Sequence, residues 1–152
     1  MTPLFARGAL LDTSEYYVVL PDNIGHGRSS KPSDGLRMKF PKYTYDDMVE
    51  AQRRLLIEGL NVGHLRLILG TSMGCMHAWG WGTQHPNFAD GLVPLACAPA
   101  AIVGRNRMIR KMIIDDIMSD PTWNGGNYTE APLLGMRAAM GQLFIMTSAP
   151  LV

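Results

Sequence analysis

Between an apolar run, Leu65-Arg-Leu-Ile-Leu69, and a segment able to form a helix, Cys75 to Gln84, stands Gly70-Thr71-Ser72-Met73-Gly74, which fits the pattern G-x-S-x-G. A strand that turns into a helix over so few residues strains the backbone at its middle residue and leaves almost no room for flanking side chains. Ser72 is therefore predicted at the tip of a tight turn, with Gly70 and Gly74 as its supports. In that position the hydroxyl projects at the edge of a sheet. A serine hydroxyl is a poor nucleophile until a base, usually a histidine oriented by a carboxylate, takes its proton. The helix that follows adds its N-terminal dipole, and the Met73 backbone N–H can face the oxyanion of a tetrahedral intermediate. Ser72 and Met73 are the candidate catalytic groups.

The rest of the chain is consistent with such a turn. Tyr16-Tyr-Val-Val-Leu20 is a β-branched and aromatic run that stops at Pro21-Asp22, and it reads as a strand like Leu65 to Leu69. Gly91 to Cys97 is a third candidate, weakened by Pro94, which removes a ladder donor. Between the first two strands, Thr44 stands three residues before Asp47, the spacing of a capping box, and Met48, Ala51, Leu55, Leu56 and Gly59 follow at helical spacing up to a stop at Asn61. Strand, helix, strand in this order predicts an α/β fold with a parallel sheet covered by helices, its sites at one edge. From Val103 onward the pattern is helical and methionine-rich. Met108, Ile109, Met112, Ile113 and Ile117 share one face, and Leu133, Met136, Met140 and Leu143 another. These methionines are predicted to pack a core, or alternatively to form an adaptable apolar cap over a pocket. Residues 1–100 are thus expected to form the core and 101–152 a helical lid.

Composition narrows the functions. The chain has 152 residues, 14 basic and 13 acidic, for a formal charge of +1, with no Lys/Arg stripe. That is enough chain for one globular domain, and it lacks the electrostatic footprint of a nucleic-acid or anionic-membrane binder. No run is long and unbroken enough to span a bilayer, and the N-terminus does not read as a secretory signal. The two cysteines, Cys75 and Cys97, form no metal-ligand or C-x-x-C spacing, so no zinc site or disulfide is expected and the compartment reads as reducing and cytoplasmic.

A second motif, Asp22-x-x-Gly25-x-Gly27-x-Ser29, follows the first strand. It is not a dinucleotide fingerprint, since Ser30 occupies the third glycine position. The pair D-x-x-G-x-G-x-S and G-x-S-x-G, about forty residues apart with a helix between, resembles the α/β-hydrolase fold. Met76, Trp79, His85-Pro86 and especially Asp120-Pro-Thr-Trp-Asn-Gly-Gly-Asn-Tyr128 are similar to the homoserine O-acetyltransferase branch and its hydrolase relatives. The resemblance implies a helical lid after the third strand, a structural role for the loop holding His26, and a glycine where this chain has Cys75.

The resemblance also implies parts that this sequence does not show. In such a fold the acid and the histidine follow the nucleophile, yet no histidine follows His85. His77 is expected to pack inside a helix, His64 lies at the opposite sheet edge and His85 ends a helix. Asp90, Asp115, Asp116, Asp120 and Glu130 do not end a later core strand. A His-Gly-type loop for a second oxyanion donor is missing too. By the family's topology, the strand between those matching Tyr16–Leu20 and Leu65–Leu69 would precede Met1, so the chain is expected to be an interior piece of a longer enzyme, incomplete at both ends.

Three functions follow as expectations. The first is a serine-nucleophile hydrolase acting on a small acyl ester through an acyl-enzyme. The second is transfer of an acetyl group from acetyl-CoA to homoserine or a similar alcohol, and the third is a catalytically incomplete fragment or pseudoenzyme that needs a partner chain. No cofactor or metal is expected, acetyl-CoA entering only as the acyl donor of the second. The lid helices offer a surface for a homodimer.

Overall fold

The computed structural model describes residues 2–148. In chain order its elements are a short α1 (Thr2–Phe5), α2 (Tyr45–Arg54), β1 (Ile68–Thr71), α3 (Met73–Gln84), β2 (Leu92–Leu95), α4 (Gly104–Ser119) and α5 (Leu133–Thr147). β1 and β2 are parallel, in a register running from Ile68 opposite Leu92 to Thr71 opposite Leu95, with a further bridge between Leu65 and Ala89. β1 therefore begins later than the apolar run suggests and runs into the first two residues of G-x-S-x-G. Pro94 is tolerated because Ile68 N–H bonds to Gly91 O and Ser72 N–H to Leu95 O. The odd-numbered residues of β2 face β1, so the missing N–H of Pro94 points away from the ladder.

The expected strand Tyr16–Leu20 is not part of the sheet. The segment makes no ladder with β1 among the described residues, and Tyr17 and Leu20 are largely exposed. Val19 nevertheless packs against the core of Val49, Leu56 and Trp81, as Ile68 does. A β-rich segment becomes a strand only when a neighbour supplies its hydrogen bonds, and none of the described residues does so here.

The capping box at the start of α2 forms as its spacing predicts. Thr44 N–H donates to Asp47 Oδ2 at 2.7 Å and Asp47 N–H to Thr44 Oγ1 at 3.4 Å. The helix then widens into a π turn over Leu55–Gly59, and Asn61 ends it in the left-handed region, at φ 54°. Its buried stripe differs from the expected one. Met48, Val49 and Leu56 are buried, whereas Ala51 and Leu55 face solvent. The reason is that α2 turns Val49 and Gln52 toward α3. Val49 meets Gly80, and Gln52 receives the indole N–H of Trp81 at 2.9 Å.

α4 and α5 pack as a hairpin, which makes up the described part of the predicted lid; its last four residues lie outside the described residues. Here too the contact faces shift. Ile109, Ile113 and Ile117 are half-buried against α5, which presents Gly135 and Ala139, while Met108, Met112, Met118, Met136 and Met140 are exposed. The expected packing of the methionines into a core is thus corrected. At Gly135 the helices come so close that a Cβ would overlap the Asp116 carbonyl and lie 2.8 Å from Ile117 Cα, so small residues, not methionines, set the contact.

The turn between these helices explains Asp-Pro-x-Trp-Asn-Gly-Gly in physical terms. The buried Asp120 carboxylate accepts Thr122 N–H at 2.8 Å and Gly135 N–H at 2.9 Å, tying the end of α4 to the first turn of α5. Those backbone donors, Gly135 first, hold its pKa below the ordinary carboxylate value. Asn124, Gly125 and Gly126 all have positive φ, a run that asparagine and glycine adopt at least cost. At Gly126 a Cβ would be 2.6 Å from Met38 Sδ. Trp123 stacks on Tyr128, with ring centroids 5.5 Å apart, and the Arg37 guanidinium lies 4.4 Å from the Tyr128 centroid. The turn thereby docks the hairpin on residues 37–38.

Candidate active site

Ser72 joins β1 to α3 with φ 53° and ψ −114°, a backbone conformation that costs on the order of 1–3 kcal/mol and persists only where the surroundings impose it. Those surroundings are visible. Ser72 N–H is held by Leu95 O at 3.0 Å, and Ser72 O accepts Cys75 N–H at 3.1 Å and Met76 N–H at 3.3 Å. On one flank the turn leaves no space, since a Cβ on Gly70 would overlap the Gly74 carbonyl and lie 2.8 Å from Cys75 N. On the other, a Cβ on Gly74 would meet nothing within 4 Å. The steric demand expected at both glycines falls on Gly70 alone among the described residues.

The Ser72 side chain is exposed. Met73 is the first residue of α3, so its N–H has no acceptor within the helix and points, with the dipole, toward the turn. A hydroxyl on a strained turn beside a free helix N–H is an arrangement suited to attack on a carbonyl and to holding the resulting oxyanion.

The histidines lie elsewhere. His64 Nε2 is 2.8 Å from Asp90 Oδ1, and Arg66 donates to the other oxygen of Asp90 at 3.1 Å. The His64 bond, then that of Arg66, holds the Asp90 carboxyl below its usual range. His85 lies 3.7 Å from Glu50 and against Trp81. His26 is exposed in a loop closed by Asp22, which accepts Arg28 N–H at 2.9 Å on its carboxylate and Ser29 Oγ–H at 2.7 Å on its carbonyl. Of the later acids, Asp115 pairs with Lys111, Asp116 accepts from Gln142 and Asp120 holds the turn between α4 and α5. Among the described residues no histidine or carboxylate is hydrogen-bonded to Ser72, and no cluster of three His, Cys, Asp or Glu is placed to hold a metal ion.

His77 is buried in α3. Gln52 Nε2 reaches its Nδ1 at 3.5 Å while bonding Asn23 Oδ1 at 2.6 Å, so Gln52 links the loop after Pro21 to both helices. Burial lowers the His77 pKa. Between that value and the ~6.5 of a free histidine, the unfolded chain binds a proton that the folded one does not. Stability is accordingly full above about pH 6.5 and declines as pH falls below it toward the folded value. His77→Gln should flatten this part of the curve in urea titrations from pH 7 to 5, and an unchanged slope would contradict the assignment.

Cys75 and Cys97 correct a sequence expectation. They form a disulfide, with Cα atoms 6.0 Å apart. The parallel register places Leu95 beside Thr71, and the chains that leave this point carry the two sulfurs into bridging range. Their separation of 22 residues spells no motif, so only the register reveals them. The reducing, cytoplasmic reading loses the support it drew from these cysteines.

The α/β-hydrolase fold model matches residues 5–144. The chain belongs to the α/β-hydrolase fold family. Within it the chain is similar to homoserine O-acetyltransferases. It is 38% identical over 145 residues to the homoserine O-acetyltransferase of Citrifermentans bemidjiense, covering 88% of this chain and 38% of that protein. With that of Solidesulfovibrio magneticus it shares 37% over 151 residues, 92% of this chain and 37% of the other. Two solved structures agree in shape. An acetylester hydrolase from Corynebacterium glutamicum superposes with TM-score 0.82 at 27% identity, covering 90% of this chain and 41% of that one. The homoserine O-acetyltransferase from Bacillus anthracis does so with TM-score 0.81 at 26% identity, covering 94% and 42%. This α/β-hydrolase chain therefore spans less than half the length of these relatives. No helix among the described residues is long and apolar enough to cross a membrane.

Proposed function

We propose that this chain carries the nucleophile of a serine acyl-transfer enzyme. Ser72 attacks the carbonyl of a small acyl ester, the Met73 N–H helps hold the oxyanion, and water resolves the acyl-enzyme. The observation that carries this reading is the conformation of Ser72, strained and exposed where a parallel strand passes into a helix N-terminus. An acetylester hydrolase and homoserine O-acetyltransferases among the relatives support an acyl substrate. The base and its carboxylate partner come from residues beyond this chain, in a longer polypeptide or on a partner. If nothing supplies them, the chain is the inert fragment of the third expectation.

Hydrolysis and transfer differ only in which acceptor reaches the acyl-enzyme. Short-chain nitrophenyl esters, and separately acetyl-CoA with homoserine, distinguish the two. Ester turnover that needs no alcohol supports the hydrolase. Acetyl transfer to homoserine with slow ester hydrolysis supports the alternative, and no Ser72-dependent turnover in either assay overturns both. The exposed Leu134, Phe144 and Ile145 of α5 favour pairing of two copies through the lid hairpin. Sedimentation equilibrium should then show a dimer at micromolar concentration, and a monomer throughout would contradict this.

A further inference from the structure

The Cys75–Cys97 bond lies close to Ser72 in sequence and register, and joins α3 to the segment that leaves β2. Cys75 is in the first turn of α3, three residues after Ser72, and is 1% exposed. Cys97 is half-buried and opens the segment that leaves β2. The residue before it, Ala96, sits at φ 58°, where an alanine is unfavourable. Beyond it, Ala98 to Ile102 form one wall of a groove of about 430 Å³ whose other wall is Tyr45, Met76, Trp79 and Thr83. Met76, Trp79 and Thr83 follow Ser72 at helical spacing, so the groove runs along α3 from the nucleophile. Two bonds hold this outgoing segment near the turn: that from Ser72 N–H to Leu95 O, and the disulfide.

The geometry points to a thiol–disulfide latch, in which the Cys75–Cys97 bond fixes residues 96–102 against α3 and a dithiol reductant releases them. The thiolate of the dithiol attacks the more accessible sulfur, Cys97 Sγ, forming a mixed disulfide while the Cys75–Cys97 bond breaks and its electron pair leaves on Cys75 Sγ. The Cys75 thiolate then takes a proton from water. The second thiol of the reductant attacks its own sulfur in the mixed disulfide and expels Cys97 as a thiol. The protein gains two electrons and two protons, and the dithiol becomes a disulfide. Once free, Ala96 can relax to negative φ, and the groove wall moves away from the turn that positions Ser72.

The latch stands on the bond and the groove, and only its effect on catalysis rests on the nucleophile reading above. The test uses the full chain, oxidised or treated with dithiothreitol, with thiols trapped by iodoacetamide and counted by intact mass. Hydrogen exchange of residues 96–103 is followed in both states. Reduction should expose two alkylatable thiols and raise exchange in this segment roughly ten-fold or more, while α5 is unchanged. Cys97→Ser should show the raised exchange without reductant, and the reduced native chain gives the same comparison if that variant fails to fold. A bond that resists the dithiol, or exchange that is equal in the two states, would overturn the latch. Labelling of Ser72 by a fluorophosphonate is measured in parallel, in both redox states, on the polypeptide that unites this chain with its base. If exchange rises but Ser72 labels in neither state, the latch stands and the nucleophile reading falls. If Ser72 labels equally in both states with unchanged exchange, the reverse holds.

Discussion

Ser72→Ala is expected to lower kcat/KM for nitrophenyl acetate by on the order of 10⁴-fold or more in the polypeptide that unites this chain with its base. The size follows from what the side chain does. With the hydroxyl gone, no acyl-enzyme can form, and the Met73 N–H and the helix dipole are left to stabilise only a direct attack by water. The substitution removes an exposed oxygen that has no hydrogen-bond partner among the described side chains, so the fold should survive it. Unfolding by urea then serves as the control, with stability expected within about 0.5 kcal/mol of the native chain, as for other surface substitutions. Loss of activity together with loss of stability would mean that Ser72 is structural, and full activity would mean that another group attacks.

Gly70→Ala should have the largest effect on stability. The added methyl overlaps the Gly74 carbonyl and crowds Cys75 N, both backbone atoms that no rotamer change can move aside. Relief requires α3 to retreat from β1, which breaks the turn at Ser72 and disturbs the register that presents Leu95 O to it. A loss of about 3 kcal/mol or more is expected in urea unfolding, at the upper end of what overpacking costs. Gly74→Ala is the contrast. It lies within α3, a Cβ there meets nothing within 4 Å, and removing a helical glycine should stabilise by roughly 0.5–1 kcal/mol. Equal effects of the two substitutions would contradict the close approach at Gly70.

What could be read from the sequence was local. The capping box at Thr44 and Asp47 and the turn at Ser72 are each set by a few adjacent residues, and the structure forms both. The family likewise rests on short motifs whose geometry is now visible: Asp22 closes the loop through Arg28 and Ser29, and Asp120 fastens α5 through Gly135. What could not be read depended on partners distant in sequence. Tyr16–Leu20 has the composition of a strand but, among the described residues, no neighbour to make it one. The buried side of α2 is chosen by Trp81 and Gly80 of α3, and that of α4 by the small residues of α5, so apolar periodicity placed Ala51 and Leu55 inward and passed over Val49. The Cys75–Cys97 bond is the extreme case, because only the parallel pairing of β1 with β2 brings those sulfurs together. The base that Ser72 needs is a different kind of gap, for no histidine follows His85 and each acid placed after Ser72 that makes a polar contact is committed to a structural partner.

The most direct measurement is covalent. The polypeptide encoded with this chain is treated with a fluorophosphonate, its intact mass is recorded and the modified peptide is sequenced. The account predicts one adduct per chain, on Ser72 and absent from Ser72→Ala. An adduct on any other residue, or complete loss of ester turnover while Ser72 remains unmodified, would contradict it.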